Sequence, residues 1–134
     1  MLKECINIKN LNFINEINDN NFSHFISEFL HSIKIILKNN KEDFYIMTKN
    51  EPLINKDIKQ YIYVYFIAII EKTCNENNIN IPYWINKEKY YLSYKWFPLE
   101  CEKYYFLKPI LEEESPTEFK KRNLFVSNNV LSCS

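Results

Sequence analysis

The chain has 134 residues, a formal net charge of zero and an aromatic content of 16%. A chain of this length is expected to form one domain, residues 1–134, with a substantial core. Its apolar content of 46% argues against intrinsic disorder. Because 17 basic residues balance 17 acidic ones, the chain as a whole has no electrostatic attraction to nucleic acid or to an anionic membrane.

The first fifty residues show the hydrophobic spacing of α-helices. Residues 2–17 predict one helix, or two helical turns broken near Asn10, and a polar turn follows them. The strongest helical pattern lies at residues 22–37. Residues 41–49 predict a short helix, for which Asn40 can serve as the N-cap.

A second long helix is predicted to begin at Asn55 or Asp57 and to run to about Asn77. Its middle, YIYVYFIAII, is apolar nearly all round, which favours a central position among the other helices. Ala68 is the only alanine of the chain, and we expect it where this helix packs closely against a neighbour.

The remaining residues predict shorter elements. Residues 81–98 are aromatic without a clear period, which indicates extended chain and short turns. Residues 99–114 predict a helix in which Pro109 either causes a kink or lies in the first turn of a new helix. Ser115 as N-cap and Glu118 at N3 fit a capping box that begins a last short helix.

These elements predict an all-α fold, a small single-domain helical bundle with an aromatic irregular segment and a capped carboxyl-terminal element. The longest apolar run, residues 61–70, is too short to span a bilayer, and the first residues do not resemble a signal peptide. A cytoplasmic protein with free thiols is therefore expected. The four cysteines show no metal-ligand spacing: Cys5, Cys74, Cys101 and Cys133.

The sequence shows no motif for catalysis. His24 and His31 lie seven residues apart on one predicted helix face, with Glu28 between them. Two helical turns separate the histidines by roughly 10 Å, so an exposed polar stripe is favoured over a shared metal ion. A glycine-rich phosphate loop is excluded because the chain contains no glycine. No catalytic residue, metal ligand or cofactor is therefore predicted.

The basic triplet Lys120, Lys121 and Arg122 contains the only arginine of the chain. Glu118 precedes Arg122 by four residues, which predicts an ion pair on a solvated helix end. The guanidinium group of Arg122 could form a forked contact with a carboxylate, with backbone carbonyls or with phosphate. It could accordingly contact a partner, or it could attach the tail to the core.

The aromatic residues between positions 83 and 105 could form a binding platform, because tyrosine, tryptophan and arginine are frequent in protein interfaces. More than half of these rings are expected in the core, and the others at a surface: Tyr83, Trp84, Tyr90, Tyr91, Tyr94, Trp96, Tyr104 and Tyr105. The predicted partner-binding residues are Lys120, Lys121, Arg122, Phe125, Trp84 and Trp96.

Four segments, EPLINKD, IPYW, KWF and SPTEFKKRNLFVSNNVLS, stand in an order that resembles a group of small uncharacterised bacterial helical proteins. The shared pattern is P-x-W … W-F … S-P-x-x-F-x-x-R-N-x-F-V, and it covers roughly residues 51–134. It marks positions without giving any of them a catalytic role: Pro82, Trp84, Trp96, Phe97, Pro116, Phe119, Arg122, Asn123 and Phe125.

The resemblance implies a member of a toxin–antitoxin or defence pair encoded beside a nucleotidyltransferase-like gene. Longer relatives carry a helix-turn-helix module, for which the first fifty residues lack the tight turn and small residues. We therefore expect a non-catalytic interaction module, antitoxin-like or accessory, with a protein partner such as a nucleotidyltransferase-like toxin. The alternatives are a regulator that contacts nucleic acid and a small metal-dependent enzyme, and the oligomeric state stays open.

Overall fold

The computed structural model describes residues 10–132, and this part of the chain is all-α, as predicted. The α-helices, in chain order, are α1 (Phe22–Asn39), α2 (Lys41–Thr48), α3 (Gln60–Asn77), α4 (Leu107–Glu114) and α5 (Thr117–Lys120). Short 3₁₀-helices lie between and beside them, at Leu11–Glu16, Tyr83–Asn86, Glu88–Tyr90, Leu99–Glu102 and Val130–Ser132.

Helix α3 is the central element, as its uniformly apolar middle predicts. Seven consecutive buried apolar residues begin at Val64 and end at Ile70, and Ala68 among them is fully buried. Neighbouring elements therefore surround α3 on all sides, which a helix with only one apolar stripe would not allow. A charged or bulkier side chain at any of these positions would have no access to solvent.

Helix α1 packs against α3 through phenylalanine rings. Phe29 of α1 lies 5.5 Å from Phe66 of α3, measured between ring centroids. Phe13, on the first 3₁₀-helix, lies 5.1 Å from Phe29 and 5.3 Å from Phe66. The first 3₁₀-helix thus packs against α1 and α3. The predicted helical turn after Asn10 is confirmed over Leu11–Glu16, and the part of that prediction before Asn10 lies outside the described residues.

Helix boundaries follow the predictions closely in the first half of the chain. Helix α2 begins after Asn40, whose side chain accepts a hydrogen bond from the Glu42 backbone N–H at 3.1 Å, so the predicted cap is confirmed. Helix α3 begins only at Gln60, later than predicted. The reason is a turn before it, in which the Ile58 N–H donates to the Asn55 carbonyl.

The second half contains more breaks than the sequence predicts. Residues 99–114 divide into a 3₁₀-helix (Leu99–Glu102) and α4. Pro109 lies in the first turn of α4, where backbone N–H groups have no acceptor within the helix, so proline is tolerated there. The capping box is wrong: α5 has no side-chain cap. Ser115 instead receives a hydrogen bond from the Val126 N–H at 2.8 Å and donates to the Leu111 carbonyl at 2.6 Å.

Among residues 10–132, no helix combines the length and the hydrophobicity needed to cross a membrane. The two cysteines of this range, Cys74 and Cys101, are buried free thiols. Burial and the nearby Glu71 carboxylate raise the pKa of Cys74 to about 12. Cys5 and Cys133 lie outside the described residues.

The central position of α3 gives a stability prediction. Ile67→Ala should lower the free energy of unfolding by about 2 to 5 kcal/mol, because Ile67 is fully buried and its removal leaves a cavity. The matched change Ile35→Ala, at a residue of α1 that is 46% exposed, should cost about 1 kcal/mol or less. Urea unfolding of both variants measures the difference, and equal losses would contradict the central placement of α3.

Candidate functional site

The guanidinium group of Arg122 is fully buried and makes the longest-range polar contacts of the core. Its Nη1 donates to the backbone carbonyls of Ile85 and Tyr90, both at 3.0 Å. Its Nη2 donates to Oε1 of Glu71 at 2.6 Å. The forked contact expected from the sequence is therefore confirmed, with a carboxylate and two carbonyls of the same chain as its acceptors.

Glu71 is the acidic partner, on the otherwise apolar inner part of α3, and it is only 5% exposed. One carboxylate oxygen accepts from Arg122 and the other from the ammonium group of Lys121. The flat guanidinium also lies 4.5 Å from the ring centroid of Tyr91, which covers one of its faces. The carboxylate thus has two cationic donors, and the guanidinium has a ring against one face, which offsets part of the loss of water.

The tail reaches this position through a tight turn after α5. Asn123 adopts a left-handed conformation, with φ of 67°, which asparagine tolerates better than most residues. The N–H of Leu124 then donates to the Phe119 carbonyl, in the manner of a helix-ending turn. The turn leaves Arg122 pointing into the core and directs the following residues back along the irregular segment.

Backbone hydrogen bonds attach the tail to that irregular segment. The Trp96 N–H donates to the Asn123 carbonyl at 2.8 Å, and the Phe125 N–H donates to the Trp96 carbonyl at 2.9 Å. Trp96 and Leu124 form a parallel bridge, the one isolated β-type pairing found between residues 10 and 132. The Arg122 carbonyl also accepts a hydrogen bond from the Leu92 N–H. Both the side chain and the backbone of Arg122 therefore connect the two segments.

The basic triplet is therefore dispersed. Arg122 is buried, and Lys121 is paired with Glu71. Lys120 is exposed, and its Nζ donates to the carbonyl of Glu113 at 3.2 Å. These three cations do not form one basic surface for phosphate groups.

The predicted pair of Glu118 with Arg122 is wrong. The Glu118 carboxylate instead accepts from the side-chain amide of Asn75 on α3, at 2.8 Å. Arg122 lies in the turn beyond α5, so it no longer occupies the helical position four residues after Glu118. The arginine turns to the buried Glu71, where a carboxylate without a cation would be far more costly than a solvated one.

The other predicted contact residues lie at different depths. Trp84 is fully buried, and its indole N–H donates to the Thr48 carbonyl at 2.9 Å. Trp96 is half-buried, stacked 5.4 Å from Tyr61, and Phe125 is buried in a stack with Phe97. Direct contact with a partner is not available to Trp84 or Arg122 in the folded chain. For the exposed Lys120 it stays a prediction.

A second polar cluster lies at Glu51, in the connection before α3. Its carboxylate accepts from Lys87 Nζ at 2.5 Å and from the Tyr90 hydroxyl at 2.6 Å, and Lys89 is 3.3 Å away. Burial opposes ionisation here, yet the hydrogen bonds from Lys87, Tyr90 and Lys89 lower the pKa of Glu51 below its usual value. Burial, and then the bond to Glu51, raise the pKa of Tyr90.

The histidine face of α1 has the character of a polar stripe. His24 and His31 are exposed, and Glu28 is half-buried. Within residues 10–132, no three histidine, cysteine, aspartate or glutamate side chains are grouped so that they could hold a metal ion.

Large apolar side chains are exposed along residues 99–110, which we call the aromatic segment. Leu99 is 75% exposed, Tyr105 77% and Phe106 60%. Tyr104 and Ile110 are about half exposed, and α4 has no buried residue at all. A stretch with this much uncovered apolar surface is typical of a site where another molecule binds.

The division between core and surface differs from the sequence prediction for the aromatic residues. Of the rings from position 83 to 105, only Trp84 and Tyr90 are buried, so the expectation that more than half lie in the core is wrong. Between residues 83 and 105 the chain forms only short 3₁₀-helices, and several rings reach solvent because no longer helix or strand fixes one inward face.

Comparisons with protein-family models, with curated proteins and with solved structures found no match for this chain.

Two groups of functional residues were not predicted from the sequence. Glu71 had a visible signal, since an acid that directly follows the apolar run of α3 requires a buried cation and the chain has only one arginine. Leu99, Phe106 and Ile110 had no such signal. Their spacing is compatible with a buried helix face, and only the tertiary structure shows that nothing of the described chain covers them.

Replacing Arg122 tests its structural role. Arg122→Lys should lower the free energy of unfolding by about 2 to 4 kcal/mol, because the single nitrogen of lysine cannot occupy both the Nη1 position that bonds the two carbonyls and the Nη2 position that bonds Glu71. For a domain of this size the midpoint of a thermal melt falls by roughly 10 °C. Lys120→Ala, which removes the exposed cation two residues earlier, is the control and should leave the melt nearly unchanged.

The Glu51 cluster predicts a dependence of stability on pH. A carboxyl whose pKa is lowered by folding stabilises the native state above its usual value of 4.5, and this contribution is lost as the pH falls through the native pKa. Glu51→Gln should therefore melt lower than the natural chain at pH 6, and the gap should narrow below pH 4.5. If the difference in melting temperature did not change with pH, or if Glu88→Gln lowered the melting temperature by the same amount, the ionised Glu51 carboxylate would not be the cause.

Proposed function

We propose that the chain is a non-catalytic protein-interaction module that binds another protein molecule through the aromatic segment. The single observation that supports this proposal is the exposure of five large apolar side chains between residues 99 and 110. Monomeric proteins rarely leave large contiguous apolar patches uncovered, since their burial is favourable by about 25 cal/mol per Å².

The composition of the segment also suits protein binding. Tyr104, Tyr105 and Phe106 combine large area with few rotatable bonds, so their immobilisation costs little conformational entropy. The exposed charges Glu100, Glu102 and Lys103 border them. An aromatic centre with a charged border is the arrangement found in many protein–protein interfaces.

The resemblance stated for residues 51–134 supports a finer proposal, that the chain is the antitoxin-like or accessory member of a bacterial pair. In that role the partner is a protein encoded beside it, such as a nucleotidyltransferase-like toxin. The buried Arg122 is then a structural residue that holds the shape of the module.

Capture from the native lysate tests the proposal. The tagged chain should retain a stoichiometric protein partner, and Tyr105→Ser with Phe106→Ser should abolish the retention without lowering the thermal melt, because both rings are largely exposed. Tyr83→Ser, at an exposed ring outside the segment, is the matched control and should retain the partner. Equal capture by all three proteins would refute the assignment of the surface.

A further inference from the structure

We propose that the aromatic segment pairs with the same segment of a second copy of this chain, with the two α4 helices antiparallel. This inference rests on the proposed function, which makes residues 99–110 a protein-binding surface, and it assigns a second copy, in place of a protein encoded beside it, as the molecule that covers them. The outer face of α4 carries apolar and charged residues in an order that suits such a pairing.

The outer face of α4 begins in the turn before the helix. The N–H of Leu107 donates to the Tyr104 carbonyl and the N–H of Lys108 to the Tyr105 carbonyl, so the backbone already turns helically there. Phe106 and Ile110 lie four residues apart, and Glu113 follows three residues later, all on one helix face. Each of these three side chains is exposed.

The inner face of the same helix is already engaged. Lys108 lies 5.1 Å from the ring centroid of Phe97, and Glu112 accepts from Lys95 at 2.7 Å. Leu107 is half-buried. The body of the molecule therefore covers one side of α4 and leaves the face with Phe106, Ile110 and Glu113 to a binding partner.

The charges of α4 are arranged against its own dipole. The last turn carries Glu113 and Glu114, where the negative end of a helix favours cations, and the chain has no basic residue in that turn. Lys120 compensates in part, because its Nζ donates to the Glu113 carbonyl. The carboxylate of Glu113 forms no salt bridge within the described chain, and neither does Lys103, which precedes the helix.

Lys103 Nζ lies 5.4 Å from the ring centroid of Tyr104, within the exposed apolar surface itself. An antiparallel pair brings this cation and the Glu113 carboxylate toward one another. If the two-fold axis passes at the level of Lys108, Lys103, in the turn that precedes α4, is directed toward the end of the second copy's helix, which carries Glu113. The same axis places Phe106 opposite Ile110 of the second copy. One symmetry operation thus satisfies both the charged and the apolar positions, as an isologous interface requires. The antiparallel arrangement also sets the two helix dipoles in opposite directions.

The available area fits a weak or moderate dimer. From the exposed fractions of Tyr104, Tyr105 and Phe106, these rings offer roughly 300 to 450 Å² per chain. Leu99, Ile110 and the border residues bring this toward the about 800 Å² per partner of a standard interface. We expect a dissociation constant on the order of 10 µM, because a small interface has little surplus over the entropy lost on association.

Analytical ultracentrifugation of the purified chain tests the pairing, at concentrations from about 2 to 200 µM, which bracket the expected constant. The natural chain should pass from monomer to dimer across this range. Lys103→Glu alone and Glu113→Lys alone should each weaken the dimer about tenfold, because each places like charges opposite one another twice per dimer. The double exchange should return the constant to within about threefold of the natural value.

Control variants separate pairing from folding. Glu88→Lys changes charge outside the segment and should leave the dimer intact, and thermal melts should show that all variants fold. Phe106→Ser should remove the dimer without lowering the melt. A monomer at every concentration, or a double exchange without recovery, would overturn the pairing.

The remaining outcomes separate this inference from the proposed function. A chain that stays monomeric but captures a different protein through Tyr105 and Phe106 would overturn the self-pairing and leave the interaction module standing. A chain with neither self-association nor ring-dependent capture would overturn both.

Discussion

The buried ion pair between Arg122 and Glu71 is the contact on which the arrangement of the carboxyl-terminal half depends. Three parts of the chain meet there: α3 supplies the carboxylate, the segment after it supplies two carbonyls, and the turn after α5 supplies the guanidinium. A buried carboxylate on the central helix would be strongly unfavourable alone, so the tail must be in place for α3 to keep it. The pair thus couples the position of the tail to the integrity of the core.

This coupling explains how the irregular segment can be ordered although its regular structure is limited to two short 3₁₀-helices. Residues 81–98 have few repetitive backbone hydrogen bonds of their own, so their polar groups need other partners. Arg122 takes the carbonyls of Ile85 and Tyr90, and Asn123 takes that of Leu92 through its side-chain amide at 2.7 Å. The tail supplies hydrogen-bond partners to these residues, as a neighbouring strand does for an edge strand. Some of their aromatic rings stay outside the core.

In this fold, the residues that hold the core together and the residues that form the exposed apolar surface are different ones. The arginine and the buried tryptophan that the sequence suggests as contact residues hold the core together, whereas the uncovered area lies in the aromatic segment and on α4. A helix of eight residues with no buried side chain contributes little to its own stability. Its exposed position, with apolar residues on one face and two glutamates in its last turn, is the physical basis for proposing this region as a binding surface.

The sequence by itself determined the all-α class, the apolar central helix, the capped start of α2 and the two possible roles of Arg122. These features follow from short-range periodicity, from local capping and from the special chemistry of a single arginine. Only the tertiary structure decided which acid Arg122 meets, where Ser115 and Glu118 make their hydrogen bonds, and which aromatic rings reach solvent. Each of these depends on contacts between residues tens of positions apart, such as Glu71 and Arg122, which are 51 positions apart, and helical spacing carries no information over that range.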